Sequence, residues 1–235
     1  MLLSPGRYQA VFFDVGDTLM YIPAAQAVIC RHLAEKALVR EEEEVGQLFQ
    51  QAFRQFYVDR ELNPEECCSP ESDRQFWTGV YRFMLDELGA GGEWAEEEIH
   101  HCCHELYEMF TSPANYRLFD DVVETLEALR ERGFRLGVVS NFSPTLKDIL
   151  QDKGILHYFD PVIVSTEVGL EKPNPAIFRL ALAEAGLEAS EVLYVGDHDL
   201  NDLWAPRQIG MDAVKILRYD YMTGEGFTGL QELLK

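Results

Sequence analysis

Residues 10–21 read AVFFDVGDTLMY. The run Ala10 to Phe13 is apolar, and Asp14 follows at once. A run of that length reads as a buried strand. A carboxylate at its end is costly to desolvate unless chemistry needs it there. Asp17 stands three positions on, with Gly16 between the two acids.

The same pattern returns far along the chain. RLGVVS (135–140), PVIVS (161–165), VLYVGD (192–197) and AVKIL (213–217) are short apolar runs, most ending at a polar residue. Helical patterns alternate with them. DDVVETLEALRERG places Val122, Val123, Leu126 and Leu129 on one face, with Gly133 as a stop and Asp121 and Glu124 as an expected capping box. NPAIFRLALAEAG offers Asn174 as a cap, Pro175 at the first helical position and Gly186 at the end. Such alternation implies parallel strands with right-handed crossovers, an α/β fold with an open sheet.

Residues 20–114 read differently, with no strand run. Val45, Leu48, Phe49, Ala52, Phe53 and Phe56 recur at helical spacing. So do Phe76, Val80, Tyr81, Met84 and Leu88, and later Ile99, Cys102, Leu106 and Phe110. NPEECCSPESD (63–73) reads as a loop. The expected organisation is an α/β core of residues 1–19 and 115–235 with a helical module of residues 20–114 inserted after the first strand.

The formal net charge is −21, from 41 acidic and 20 basic residues. This argues against nucleic acid and anionic membrane as partners, and any anionic substrate needs local cations. The acidic runs at 41–44 and 96–98 read as helix starts or solvated faces. MLLSPGRYQA is too short and too broken by Pro5 and Gly6 to read as a secretory leader. Five cysteines without such a leader read as reduced thiols of a cytoplasmic protein.

Polar residues cluster at the expected strand ends: Asp14, Ser140, Asn141, Ser165 and Asp197. In an open parallel sheet, ligands bind outside the carboxyl ends of the strands. Asp202 follows Asp197 in GDHDLND, and Lys172 lies in the turn-rich GLEKPNP. Converging carboxylates repel unless a hard cation joins them, and their oxygens suit Mg²⁺. Ser140 and Lys172 could hold phosphate oxygens, leaving Asp14 to attack phosphorus.

FFDVGDTL, VVSN, EKPNPAIF and VGDHDLNDLWAPRQIGM together resemble, in order, the four motifs of the haloacid-dehalogenase-like hydrolase superfamily. The resemblance implies a Rossmann-like core with an inserted helical cap. It implies Mg²⁺-dependent hydrolysis of small phosphorylated metabolites through an aspartyl-phosphate. Asp14 takes the nucleophile's place, and Lys172 the phosphate-neutralising one. Thr18 and Ser140 take the hydroxyl places, with Asn141 beside them among the phosphate-binding residues. Asp197, Asp14 and the backbone carbonyl of Gly16 fall at the metal, with Asp202 supporting.

One departure stands out. In the phosphatases of this superfamily the residue two after the nucleophile is usually Asp, a general acid and base; here it is Gly16. Asp17 falls where many members have Gly. Asp17 covering for the missing acid, an enzyme without that acid, and a different chemistry are the open readings. The superfamily's dehalogenases also lack the second Asp, but they use no metal and lack the acid at Asp197. Phosphonate hydrolases need a cap lysine, and the inserted region offers only Lys36. A phosphate-pocket binding protein with little turnover and a 2-haloacid dehalogenase-type hydrolase are the alternatives.

HHCCH (100–104) puts His100, Cys103 and His104 within one helical turn, a possible zinc set. The plainer expectation packs Cys102 and Cys103 in a core, with the histidines in water. Asp199 and His198 read as exposed loop residues, and Trp77, Trp94 and Trp204 as packing residues.

Overall fold

The computed structural model describes residues 6–58 and 68–235. The described chain divides into two compact units. One holds residues 6–21, 68–69 and 116–235; the other holds residues 22–58 and 70–115.

The first unit is an α/β fold around a five-stranded sheet. Its strands are β1 (Ala10–Phe13), β4 (Arg135–Ser140), β5 (Phe159–Val164), β6 (Val192–Gly196) and β7 (Asp212–Lys215). Between β1 and β4 in the chain lie the two-residue strands β2 (Met20–Tyr21) and β3 (Arg117–Leu118), which pair antiparallel. The main sheet has the order β5-β4-β1-β6-β7, and every pairing in it is parallel. β1 is central because all four of its side chains are apolar and wholly buried. Its partner strands β4 and β6 lie on opposite sides, so the strand order reverses at β1. A crevice opens outside the carboxyl ends of strands at such a switch point. On one sheet face, Phe12, Val139, Ile163, Tyr194 and Ala213 pack against Ile177, Phe178 and Ala181 of the helix Ala176–Ala185.

The second unit is helical: α1 (Ala25–Glu35), α2 (Glu42–Phe53), α3 (Pro70–Glu87) and α4 (Glu96–Phe110). Acidic residues fill the first turns of α2 and α4, where the helix dipole favours negative charge. Ile29, Leu33, Val45, Tyr81, Met84, Ile99, Cys102, Cys103 and Leu106 form its core, so the apolar periodicity reports burial.

Several expectations change. Residues 20–21 form β2, because they pair with β3 and extend the core unit past the expected boundary at residue 19. Of the expected loop 63–73, residues 63–67 lie outside the described residues, and residues 70–73 already belong to α3. Asp121 precedes the helix Val122–Glu131 without capping it through its side chain. Its carboxylate instead accepts from Arg218 at 2.8 Å and from the Leu230 amide at 2.7 Å. Trp77 and Trp94 pack against the helical core, but Trp204 is 48% exposed.

Candidate active site

Asp14 directly follows β1. Its amide donates to the Val195 carbonyl at 2.9 Å, continuing the strand pairing and setting the side chain between the ends of β4 and β6. The chain then turns tightly, with the Val15 carbonyl accepting from the amides of Leu19 and Met20 at 2.9 and 3.0 Å. Asp17 takes the left-handed backbone at φ 51°, a region that favours glycine. At Gly16 a Cβ would meet nothing within 4 Å.

Lys172 reaches this point from the turn after the short helix Ser165–Val168 that follows β5. Its Nζ donates to Asp14 Oδ1 and to Asp202 Oδ1, each at 2.7 Å, and to the Tyr194 hydroxyl at 3.2 Å. Ser140, the last residue of β4, donates to Asp14 Oδ1 at 3.3 Å. Asp202 holds a second anchor, since its Oδ2 accepts from the His198 amide at 3.0 Å. Asp14, Asp197 and Asp202 each place a carboxylate oxygen within 4.8 Å of the other two. Asp14, Ser140, Lys172, Asp197 and Asp202 therefore converge near the carboxyl ends of β1, β4 and β6.

Two placements refine the expectation. Asn141 spends both ends of its amide on the backbone of Lys172, donating to its carbonyl at 2.8 Å and accepting from its N–H at 2.7 Å. It thus positions the lysine. The Thr18 hydroxyl is fully buried and has no hydrogen-bond partner among the described residues. A buried hydroxyl in that state carries a desolvation cost that a ligand oxygen would relieve.

The electrostatics follow from three acids and one base in a buried place. Burial and the Asp202 charge push Asp14 up to about 6, although Lys172 opposes the shift. Asp197 is driven further, to about 9, by burial and by the charges of Asp14, Asp202 and Asp17. Burial works against the Lys172 ammonium, but Asp14 and Asp202 outweigh it and hold its pKa well above the ordinary value. Lys172 stays charged, and the site remains short of positive charge.

Four residues that the motif reading passed over shape the site. Tyr194 donates to the Val139 carbonyl at 2.8 Å and so fixes the hydroxyl that meets Lys172. A Cβ on Gly196 would come within 2.4 to 2.7 Å of Asp202, so glycine is required for that close approach. Arg218 donates twice to the Thr18 carbonyl, at 3.0 and 2.7 Å, and stacks over Phe119. Tyr219 donates to Asp17 Oδ1 at 2.6 Å. Gly196 precedes Asp197 and carried a faint signal; the other three had none, because their partners are remote in sequence. Asp199 is exposed as expected, yet it pairs with Lys215 at 2.7 Å. His198 accepts from the Asn201 amide at 3.2 Å.

The haloacid dehalogenase-like hydrolase family matches residues 8–210. The haloacid dehalogenase-like hydrolase domain-containing protein 3 of Danio rerio is 32% identical over 212 residues, 89% of this chain and 85% of that protein. A glyceraldehyde 3-phosphate phosphatase of Methanopyrus kandleri is 40% identical over 116 residues, 49% of this chain and 50% of that protein. Among solved structures, the magnesium-bound HAD-hydrolase YfnB of Bacillus subtilis shares 20% identity, with a TM-score of 0.72 over 97% of both chains. The L-2-haloacid dehalogenase RSc1362 fits nearly as well, at 22% identity and a TM-score of 0.70 over 97% of both chains. At those identities the two structures speak for the fold alone. This chain belongs to the haloacid dehalogenase-like hydrolases, with the α/β core and inserted helical unit of that class.

Proposed function

We propose that the protein hydrolyses phosphoric monoesters of small metabolites, with Asp14 as nucleophile. The observation that carries this reading is the contact of Lys172 with both Asp14 and Asp202 inside a trio of converging carboxylates. The superfamily's dehalogenases use no metal and lack the acid at Asp197. That further acid, beside Asp14 and Asp202, serves a purpose where a cation and a phosphate dianion must be held together.

The oxygen-only donors fit a hard divalent cation. Asp14, Asp197 and the Gly16 carbonyl would hold Mg²⁺, with Asp202 in support, and the ion would neutralise phosphate and carboxylate charge. The chain's own residues do the rest. The Asp14 carboxylate attacks phosphorus; the P–O bond to the leaving group breaks as the Asp14–phosphorus bond forms. Lys172 and Ser140, both on Asp14 Oδ1, hold that carboxylate in place. Thr18 and Ser140 offer hydroxyls to the phosphoryl oxygens, and Arg218 holds the Thr18 backbone. Water then attacks phosphorus, releasing inorganic phosphate and restoring Asp14.

Gly16 removes the usual acid from the strand exit. General acid–base catalysis contributes about 10²–10⁴-fold, so the loss falls on substrates with basic leaving groups. Aryl and acyl phosphates are then hydrolysed faster than alkyl phosphates.

The test is a screen of phosphorylated metabolites and 2-haloacids, with Mg²⁺ or with chelator, with Asp14→Asn as control. Mg²⁺-dependent phosphate release, lost in Asp14→Asn, supports the reading. Halide release that survives chelation overturns it. Phosphate binding with no turnover on any ester would make the protein a binder.

A further inference from the structure

A second cluster of metal-ligating side chains lies in the helical unit, where the carboxylate trio plays no part. We propose that His32, Cys102 and Glu105 form a site for a zinc-class divalent ion, with one coordination position open to a neighbouring surface depression.

Cys102 and Glu105 are three apart on α4 and share one helix face, which His32 of α1 meets. A ring nitrogen of His32, the Cys102 sulfur and a Glu105 oxygen all lie within 4.8 Å of one another. In a tetrahedral zinc site, bonds of about 2.0–2.3 Å set such atoms about 3.3–3.6 Å apart. His32 Nε2 is buried and has no hydrogen-bond partner among the described residues; Glu105 Oε2 is 3.3 Å away but out of line. An imidazole nitrogen with no aligned hydrogen bond, beside a carboxylate and a thiol, is part of a donor set that an ion would complete.

Lys36 is the competitor. Its Nζ stands 2.6 Å from Glu105 Oε2, at the end of a flexible stem that is part-exposed. It neutralises the carboxylate and can withdraw to water when an ion arrives. His101 meets the other oxygen, Oε1, at 3.2 Å and is mostly exposed. On binding, the Cys102 S–H bond breaks, its proton leaves to solvent, and sulfur bonds to the metal as thiolate.

Thiolate and imidazole favour zinc-class ions over Mg²⁺, so this site and the carboxylate trio select different metals. A shallow, open surface depression of about 410 Å³ is lined by His32, Glu105, Glu108, Met109, Ser112 and Asn115. Two of its lining residues are ligands, so water or an anionic small molecule could complete the coordination from there. The set differs from the one suggested by the HHCCH segment. Cys103 is buried in the core, while His100 and His104 pair with each other on the surface at 3.3 Å.

The test uses the full chain with excess Mg²⁺ and adds Co²⁺ as a spectroscopic probe. The expected result is one Co²⁺ bound with a thiolate-to-cobalt charge-transfer band, discharged by Zn²⁺. Cys102→Ser removes the band, His32→Gln weakens binding at least about tenfold, and His100→Ala/His104→Ala leaves both unchanged. His32 is less deeply buried than Cys102, so His32→Gln keeps the test valid where Cys102→Ser fails to fold. Absence of the band, its survival in His32→Gln at full affinity, or its loss in the double histidine variant would overturn the proposal.

Discussion

Lys172 Nζ stands 2.7 Å from Asp14 Oδ1 and equally close to Asp202 Oδ1, so one buried ammonium bridges a carboxylate just past β1 and one in the short helix after β6. Lys172→Met leaves both acids buried without their cation. Breaking a buried pair in this way costs about 3–5 kcal/mol, read as a lowered urea midpoint. Pairing it with Asp202→Asn should recover part of that loss, while phosphate-ester hydrolysis stays at background in both variants. An unchanged midpoint in Lys172→Met would mean that the bridge does not form in solution.

Metal should change how stability depends on pH. Asp14 and Asp197 have folded pKa values of about 6 and about 9, both above the ordinary carboxylate range. Folding therefore takes up protons, and stability without metal falls as pH rises from about 4 toward 9. Below that window both groups are protonated whether folded or not, and the penalty vanishes. A bound cation turns the repulsion into attraction. Thermal melts with EDTA and with Mg²⁺ should nearly coincide at acid pH and separate as pH rises, with Mg²⁺ the more stable. Asp197→Asn should flatten the EDTA curve.

Gly16→Asp is expected to fold normally. A Cβ there meets open space, and the backbone is not left-handed. If it supplies the missing acid, hydrolysis of alkyl phosphates rises by about 10²-fold or more, with little gain for aryl phosphates. A plot of log rate against leaving-group pKa should flatten in the variant. A flat plot for the native protein, with phosphoryl transfer rate-limiting, would show that another residue already donates the proton.

Gly196→Ala tests the packing beneath the site. The added methyl would fall within 2.4–2.7 Å of the Asp202 carboxyl, so Asp202 must leave Lys172 or the strand must shift. Overpacking of this kind costs about 1–3 kcal/mol, and turnover should drop without any change to a reacting group. Calorimetric melting and kcat on a fast aryl ester measure the two effects.

Much of this was legible in the order of residues. Buried parallel strands are apolar along their length, so AVFF, LGVV and VLYV declare themselves, and Asp14, Ser140 and, one residue further on, Asp197 mark the crevice. The helical unit was equally plain, since its apolar spacing matches the core that forms. Local reading failed where a side chain had a remote partner. Asp121 looks like a helix cap, yet it serves Arg218 and Leu230, residues 97 and 109 positions away. The zinc set suggested by HHCCH followed sequence neighbours, whereas the cluster that folding assembles brings His32 from another helix.

The sequence by itself determined the α/β class, the inserted helices, the family motifs and the identity of the acids and the lysine at the site. Each depends on residue type and on spacing along one element, and both are local properties. Tertiary structure alone decided that Lys172 would touch Asp14 and Asp202 together, and that Asn141 would hold the lysine's backbone. It also decided that Arg218 and Tyr219 would brace the turn after β1. Those contacts exist because five strands stack in an order different from their order in the chain, and only that rearrangement brings the ends of β1, β4 and β6 to one place.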